Sequence, residues 1–203
     1  MIDKTIPSYS LSLYKTDTTV YPRFELPHGF CFAYYRPGNE ASWAKLECEL
    51  GQFETIDEAT ECFKKEFLID QTLDPRQRML FVKDEGGEIV ATATLWNGLY
   101  LGKNHQRIHW VAVSDRCAGK GIAKAMLTRL MDMYNELGYQ GYIHLWTGTR
   151  NYPAISIYQK FGFELYRGEC NPISNLPDFE FQKNNEIGIK LLEEKLVEYQ
   201  HRK

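Results

Sequence analysis

The stretch from Arg107 to Thr147 constrains the fold more than any other part of the chain. A β-rich run, Arg107–Val113, ends in a short loop containing Gly119-Lys-Gly121. The loop passes straight into a long helix with Ile122, Met126, Leu130, Met133, Tyr134 and Leu137 in register. Gly138 stops that helix, and Gly141–Thr147 reads as the next strand. Two strands joined this way form a right-handed β-α-β crossover, so the chain is α/β.

The flanking segments extend this to a mixed sheet with an antiparallel N-terminal part. Residues 1–28 mix Ser, Thr, Tyr and Pro and read as an irregular arm packed on the rest. Phe30–Arg36 is a short aromatic strand closed by Pro37-Gly38. Asn39 can cap a helix carrying Trp43, Leu46 and Leu50 on one stripe. Thr55-Ile-Asp-Glu58 is a capping box opening a second helix, with Ile56, Ala59, Phe63 and Phe67 facing inward. Met79–Lys83 and Glu88–Trp96 form a hairpin around Asp84-Glu-Gly-Gly87. A polar loop, Asn97–Gln106, leads to the strand at Arg107.

Downstream, Pro153 sits where a helical first turn begins, and Ala154, Ile157, Tyr158 and Phe161 share a face of the helix that Gly162 ends. Phe163–Tyr166 returns as a strand. A loop with Pro172 and Pro177 then leads to an amphipathic C-terminal helix, Glu186–Tyr199. No repeat or linker divides the sequence, so 1–203 reads as one domain.

Composition removes several classes. With 24 basic and 27 acidic residues the net charge is −3, which argues against a general grip on nucleic-acid phosphates. No apolar run approaches the roughly 20 residues that span a bilayer, so no membrane partner is expected. The N-terminus lacks the pattern of a secretory signal. Five scattered cysteines without a C-x-x-C pair point to free thiols in a reducing cytoplasm. The histidines at 28, 105, 109, 144 and 201 show no metal-ligand spacing, so no metal is expected.

The loop at 118–123 has the makings of an anion site. Glycines let backbone approach a ligand closely, and the unpaired N–H groups at a helix start point toward it with the positive end of the dipole behind them. Lys120 adds a charge at its mouth. A nucleotide P-loop and the dinucleotide fingerprint both fail on spacing, since position 124 is lysine where the fingerprint needs glycine. On its own the motif reads equally well as a tight turn.

A second motif, Asn151-Tyr-Pro-Ala154-Ile-Ser-Ile-Tyr158-Gln-Lys-Phe-Gly162-Phe163, follows at the right separation. Together the two segments, covering about residues 107–166, resemble the GNAT superfamily of acyl-CoA-dependent N-acyltransferases. That family carries V-x-V, then a [Q/R]-x-x-G-x-[G/A] loop, then N-x-x-A-x-x-x-Y-x-x-x-G-F. Counted from Val113, Ala118 stands where Gln or Arg is usual, with Gly121 and Ala123 at the small positions. A literal match two residues earlier, Arg116-x-x-Gly119-x-Gly121, shortens the loop, and the first register is preferred.

The resemblance implies a mostly antiparallel mixed sheet flanked by helices, with strands splayed at the coenzyme site and an extra C-terminal helix. It implies acetyl-CoA as co-substrate, its pantetheine on backbone near Val111 and Val113, and its pyrophosphate on the amides of Ala118, Gly119, Lys120, Gly121, Ile122 and Ala123. Asn151 would contact the coenzyme arm, or simply cap a helix. Tyr158 is the expected general acid for the leaving thiolate, against its reading as a core aromatic beside Ile157 and Phe161.

By period two, Arg107, His109 and Val111 share a strand face, and His109 matches a position where some members carry the base. A hydrogen-bonded strand histidine is the plainer reading. Glu49 and Glu54 stay open as alternative bases or amine-binding carboxylates. Cys117 lacks a base and reads as a bystander, while Trp96 and Trp110 read as core before pocket wall. The expected function is transfer of an acetyl group to a primary amine of a small molecule or peptide in a ternary complex. The alternative, kept open by Ala118, is a catalytically inactive coenzyme A-binding regulatory module. A homodimer stays open, dimers being the commonest oligomers.

Overall fold

A computed structural model of the chain describes residues 2–69, 73–173 and 177–201. Part of the expected loop at Pro172–Pro177, residues 174–176, lies outside the described residues. The elements run β1 (Ser10–Lys15), β2 (Phe30–Tyr34), α1 (Glu40–Glu49), α2 (Ile56–Phe67), α3 (Pro75–Arg78), β3 (Met79–Asp84), β4 (Ile89–Tyr100) and β5 (Lys103–Val113). They continue with α4 (Ile122–Glu136), β6 (Ile143–Gly148), α5 (Tyr152–Lys160), β7 (Glu164–Leu165) and α6 (Asp178–His201). Seven strands join one sheet in the order β2-β3-β4-β5-β6-β1-β7. β5 and β6 pair in parallel at Gln106–Ile143 and Arg107–His144. The pairs β2–β3, β3–β4, β1–β6 and β1–β7 are antiparallel, which bears out the mixed, mostly antiparallel α/β sheet.

The chain divides into two compact units: residues 23–96 with 108–138, and residues 1–22 with 97–107 and 139–203. In the first, Thr55 and Glu58 close the expected capping box, each backbone N–H donating to the other's side chain. Ala59, Phe63 and Phe67 recur at helical spacing and are buried against Tyr35, Trp43, Phe81 and Trp96. Ile56 departs from that expectation and is 44% exposed, because the first turn of α2 faces solvent. At the start of α1 Asn39 occupies the cap position, but its side chain accepts from the Arg36 N–H instead of capping the helix.

In the second unit the irregular arm is corrected. Residues 10–15 form β1, whose Leu11 and Leu13 are buried where it pairs with β6 and β7. The expected polar loop 97–106 is also corrected. β4 continues to Tyr100 and β5 starts at Lys103, around a turn with Leu101 at φ +48° and Gly102 at φ +77°. Positive φ at both central positions matches the twist of paired strands, so polarity there marked exposed hairpin edges.

The C-terminal helix begins at Asp178, eight positions ahead of the expected Glu186, because its buried stripe already starts at Phe181. Gly188 lies where α6 passes β1, and a Cβ there would stand 2.8 Å from Tyr9 Cβ and 3.2 Å from Leu11 Cδ2. In α5 the buried residues are Ile155 and Tyr158, while Ala154 and Ile157 are half-buried.

Candidate active site

In the unit of residues 23–96 and 108–138, β5 is tied at its end by Ser114 N–H donating to Val90 O at 2.8 Å. A single 3₁₀ turn, Asp115–Cys117, leads to Ala118 and the two glycines. Gly119 and Gly121 hold φ +77° and +88°, a region costly to residues bearing a Cβ. Gly121 is the N-cap of α4, and no side chain caps the helix there. A Cβ built on either glycine meets nothing within 4 Å, so no neighbouring group crowds the side-chain position of either glycine. First-turn N–H groups left without a side-chain cap are donors an anionic oxygen can use.

Basic side chains near the loop have other partners. The Lys120 ammonium lies 5.4 Å from the Phe30 ring centroid, and that of Lys124 lies 5.1 Å from Phe24. Arg116 pairs with Glu88 at 2.8 Å and with Asp84 at 3.5 Å, on the β3–β4 hairpin. That pairing engages the Arg116 side chain on the hairpin. Ala118 is exposed, and Ile122 is buried beneath the helix start.

Upstream on β5, His109 Nε2 lies 2.9 Å from Glu66 Oε2 on α2. The histidine side chain is 14% exposed, with its ring 6.1 Å from Phe67. The next residue, Trp110, adopts φ +48°. A left-handed aromatic residue inside a strand is uncommon and marks a break in the pleat. Alternation therefore does not carry from His109 to Val111 as the period-two count assumed. The Trp110 ring is held by Phe53, stacked at 5.7 Å, and by Trp43, edge-on at 5.0 Å. Val111 and Val113 are half-buried.

In the unit of residues 1–22, 97–107 and 139–203, Tyr158 is 7% exposed, its ring 6.1 Å from Phe163. Burial pushes its hydroxyl well above the usual phenol range and so keeps it protonated. Asn151 stands at the N-cap of α5 without capping it, and its Nδ2 donates to Thr147 Oγ1 at 3.1 Å. The turn before α5 is strapped by the arm. Thr149 donates to Pro7 O at 2.7 Å and accepts from Tyr9 N–H at 3.0 Å, and Arg150 Nε donates to Ile6 O at 2.8 Å.

A family model described as the Acetyltransferase (GNAT) family matches residues 41–163. The chain belongs to the GNAT acetyltransferase family. It is 31% identical over 86 residues to the rat (Rattus norvegicus) protein N-acetyltransferase family 8 member 2, a match covering 41% of this chain and 38% of that one. Among solved structures it is similar to a GCN5-related N-acetyltransferase from Sphaerobacter thermophilus, with a TM-score of 0.60 and 23% identity. That likeness covers 79% of this chain and 50% of the other. It is also similar to a tandem GNAT protein from the clavulanic acid biosynthesis pathway, with a TM-score of 0.52, 13% identity, and coverage of 81% and 52%. The chain thus spans about half the length of these solved relatives, whose likeness supports the GNAT fold.

Within this GNAT chain, residues 118–123 form one continuous loop and helix start, with His109, Val111 and Val113 on the strand leading into it. Tyr158 and Asn151 stand on or beside α5 in the other unit. Of the alternative carboxylates, Glu49 is half-exposed with Lys45 at 3.9 Å, whereas Glu54 lines a recess beside α2. Sequence reasoning missed Glu66 and Glu47. Glu66 is one of three glutamates on α2, with nothing in the sequence to single it out. Glu47 did carry a signal, since it falls one turn after Trp43 on the buried stripe of α1. Among the described residues no group of three or more potential ligands gathers as for a metal, and no helix is long and apolar enough to cross a membrane.

Proposed function

We propose that the chain is a cytoplasmic, single-domain N-acetyltransferase that moves an acetyl group from acetyl-CoA to a primary amine by direct attack in a ternary complex. The observation carrying this is the start of α4 behind Gly119 and Gly121, free of any side-chain cap and uncrowded at both glycines. The residues present fit a pyrophosphate. The amides of residues 118–123 supply donors, and the helix dipole supplies positive potential even with alanine at 118. Val111 and Val113 offer backbone to the pantetheine arm, and Asn151 is assigned a contact with the coenzyme arm.

Acetyl-CoA supplies the activated acyl group: the amine nitrogen bonds to the thioester carbon, the C–S bond breaks, and sulfur leaves as thiolate. His109, oriented by Glu66, accepts the proton the amine must lose. Tyr158 donates its hydroxyl proton to the departing sulfur, and its burial keeps that proton available at neutral pH.

The test is the thermal midpoint with and without acetyl-CoA, with coenzyme A and ATP as controls. Ligand at 100 times its Kd stabilises by about 2.7 kcal/mol. A clear rise with acetyl-CoA and little with ATP supports the reading, and thiol release with an amine panel then tests transfer. No rise at millimolar acetyl-CoA overturns it. Binding without turnover of any amine favours a coenzyme-binding regulatory module.

A further inference from the structure

The recess beside α2 is a cavity of about 750 Å³ within the unit of residues 23–96 and 108–138. Five carboxylates line it (Glu54, Asp57, Glu58, Glu61 and Glu66) against one lining ammonium, Lys65, and Glu61 is paired from outside the lining by Lys64 at 2.7 Å. An acidic helix face alone would be ordinary, but a second feature stands behind this one. Glu47 on α1 is 1% exposed, and its Oε1 has no hydrogen-bond partner among the described residues. It lies close behind Cys62, a residue of the recess wall whose thiol is pushed up first by burial and then by the carboxyls of Glu66 and Glu47. Burial without a partner holds this carboxyl protonated, and a cation brought up to the recess wall would favour its ionised form.

Phe53 supplies an aromatic wall, fixed from behind by its stack on Trp110. Such a face attracts ammonium groups and accepts methylene chains. Gln52 is the single neutral amide among the lining side chains, and the carboxylates only accept hydrogen bonds, so the recess favours a ligand rich in N–H donors. Acceptors bearing carboxylate or phosphate would meet repulsion from five acids.

Resting on the acetyltransferase reading above, we infer that this recess seats the acceptor and that the acceptor is an aliphatic polyamine. One nitrogen reacts at the Glu66 wall, where His109 is in contact, and the remaining ammonium groups lie against Glu54, Asp57 and Glu61. The methylene spacers run along Phe53. The balance is R–NH₃⁺ plus acetyl thioester giving R–NH–acetyl, free thiol and one proton, which leaves through His109.

The experiment uses the full chain, with acetyl-CoA binding established first by thermal shift. Initial rates are then compared for spermidine, the uncharged-tail amine phenethylamine, glycine and glucosamine 6-phosphate. Spermidine is expected to lead in kcat/KM by about 100-fold, as charge complementarity requires. The double variant Asp57→Lys, Glu61→Lys reverses two exposed charges and is expected to raise the KM for spermidine about tenfold, with the KM for acetyl-CoA unchanged. Glu186→Lys, on the exposed face of α6, is the charge control and should change neither.

If acetyl-CoA binds and glycine or the phosphosugar is acetylated as well as spermidine, the inference is overturned. An unmoved spermidine KM in the double variant overturns it as well. If acetyl-CoA does not bind, the transferase reading falls separately. Calorimetric titration with spermidine then decides the recess: heat lost in the double variant supports it, and no heat with the native chain overturns it.

Discussion

Oε2 of Glu66 lies 2.9 Å from Nε2 of His109, joining the last turn of α2 to β5 within one unit. A carboxylate on one ring nitrogen fixes the ring's orientation and stabilises the charge it gains on accepting a proton. The pair also ties the recess to the strand that leads into the glycine loop, since Glu66 belongs to both.

His109→Gln should lower kcat/KM by about 10²–10⁴-fold, the usual worth of general base catalysis, and remove the acidic limb of the pH–rate profile. Glu66→Gln should cost less and keep that limb, because the imidazole remains. Steady-state kinetics from pH 5.5 to 9.5 check this. An unchanged profile in His109→Gln would remove the histidine from the proton path.

Tyr158→Phe should reduce kcat by about 10²–10⁴-fold while leaving the thermal shift with acetyl-CoA intact, because only a proton donor is lost. Burial holds the native hydroxyl above its ordinary range, so no alkaline limb from Tyr158 is expected below pH 10. Full turnover in the phenylalanine variant would end the assignment.

Glu47 gives a stability prediction with a definite sign. Burial pushes its carboxyl up to about 8 from an ordinary 4.5. Below pH 4.5 the group is protonated folded and unfolded, and its full contribution is present. Between those values only the unfolded chain loses the proton, so stability falls as pH rises, by roughly 1.4 kcal/mol per unit. Glu47→Gln should therefore flatten the profile and raise the midpoint relative to the native chain at pH 8, with little gain at pH 4.5. Melting curves across that range decide it.

Gly188→Ala should lower stability by about 1–3 kcal/mol, the usual cost of overpacking, since the added methyl would press on Tyr9 and Leu11 of the arm. Chemical denaturation measures it, and a variant as stable as the native chain would show that α6 can shift away from β1 freely.

Legibility in the sequence followed physical signal. The run from β5 through α4 and β6 to α5 was readable because glycines with obligatory positive φ punctuate strong helical and strand periods. β1 escaped because serines alternate with Leu11 and Leu13, and Ser12 is itself buried, so polarity masked the period. The β4–β5 tip escaped because Leu101 is a poor residue for φ +48° and gives no turn signature. Nothing local announces the left-handed Trp110, which is held by Phe53 and Trp43 from distant positions. The glycine loop and Tyr158 were visible as motifs, whereas Glu66 gained meaning only through contact with His109.

The pairing of β1 also has a consequence for how the chain is made. Tyr9 and Thr149 bond across 140 residues of sequence. At about 5–20 residues per second, the first strand waits on the order of ten seconds for its partners to be synthesised. Residues 23–138 contain all of one compact unit and can collapse during that interval, while Leu11 and Leu13 remain uncovered. The unit carrying Tyr158 is thus the last to close, and a nascent chain stalled before residue 143 holds a glycine loop but lacks the β6 partner that orders its own beginning.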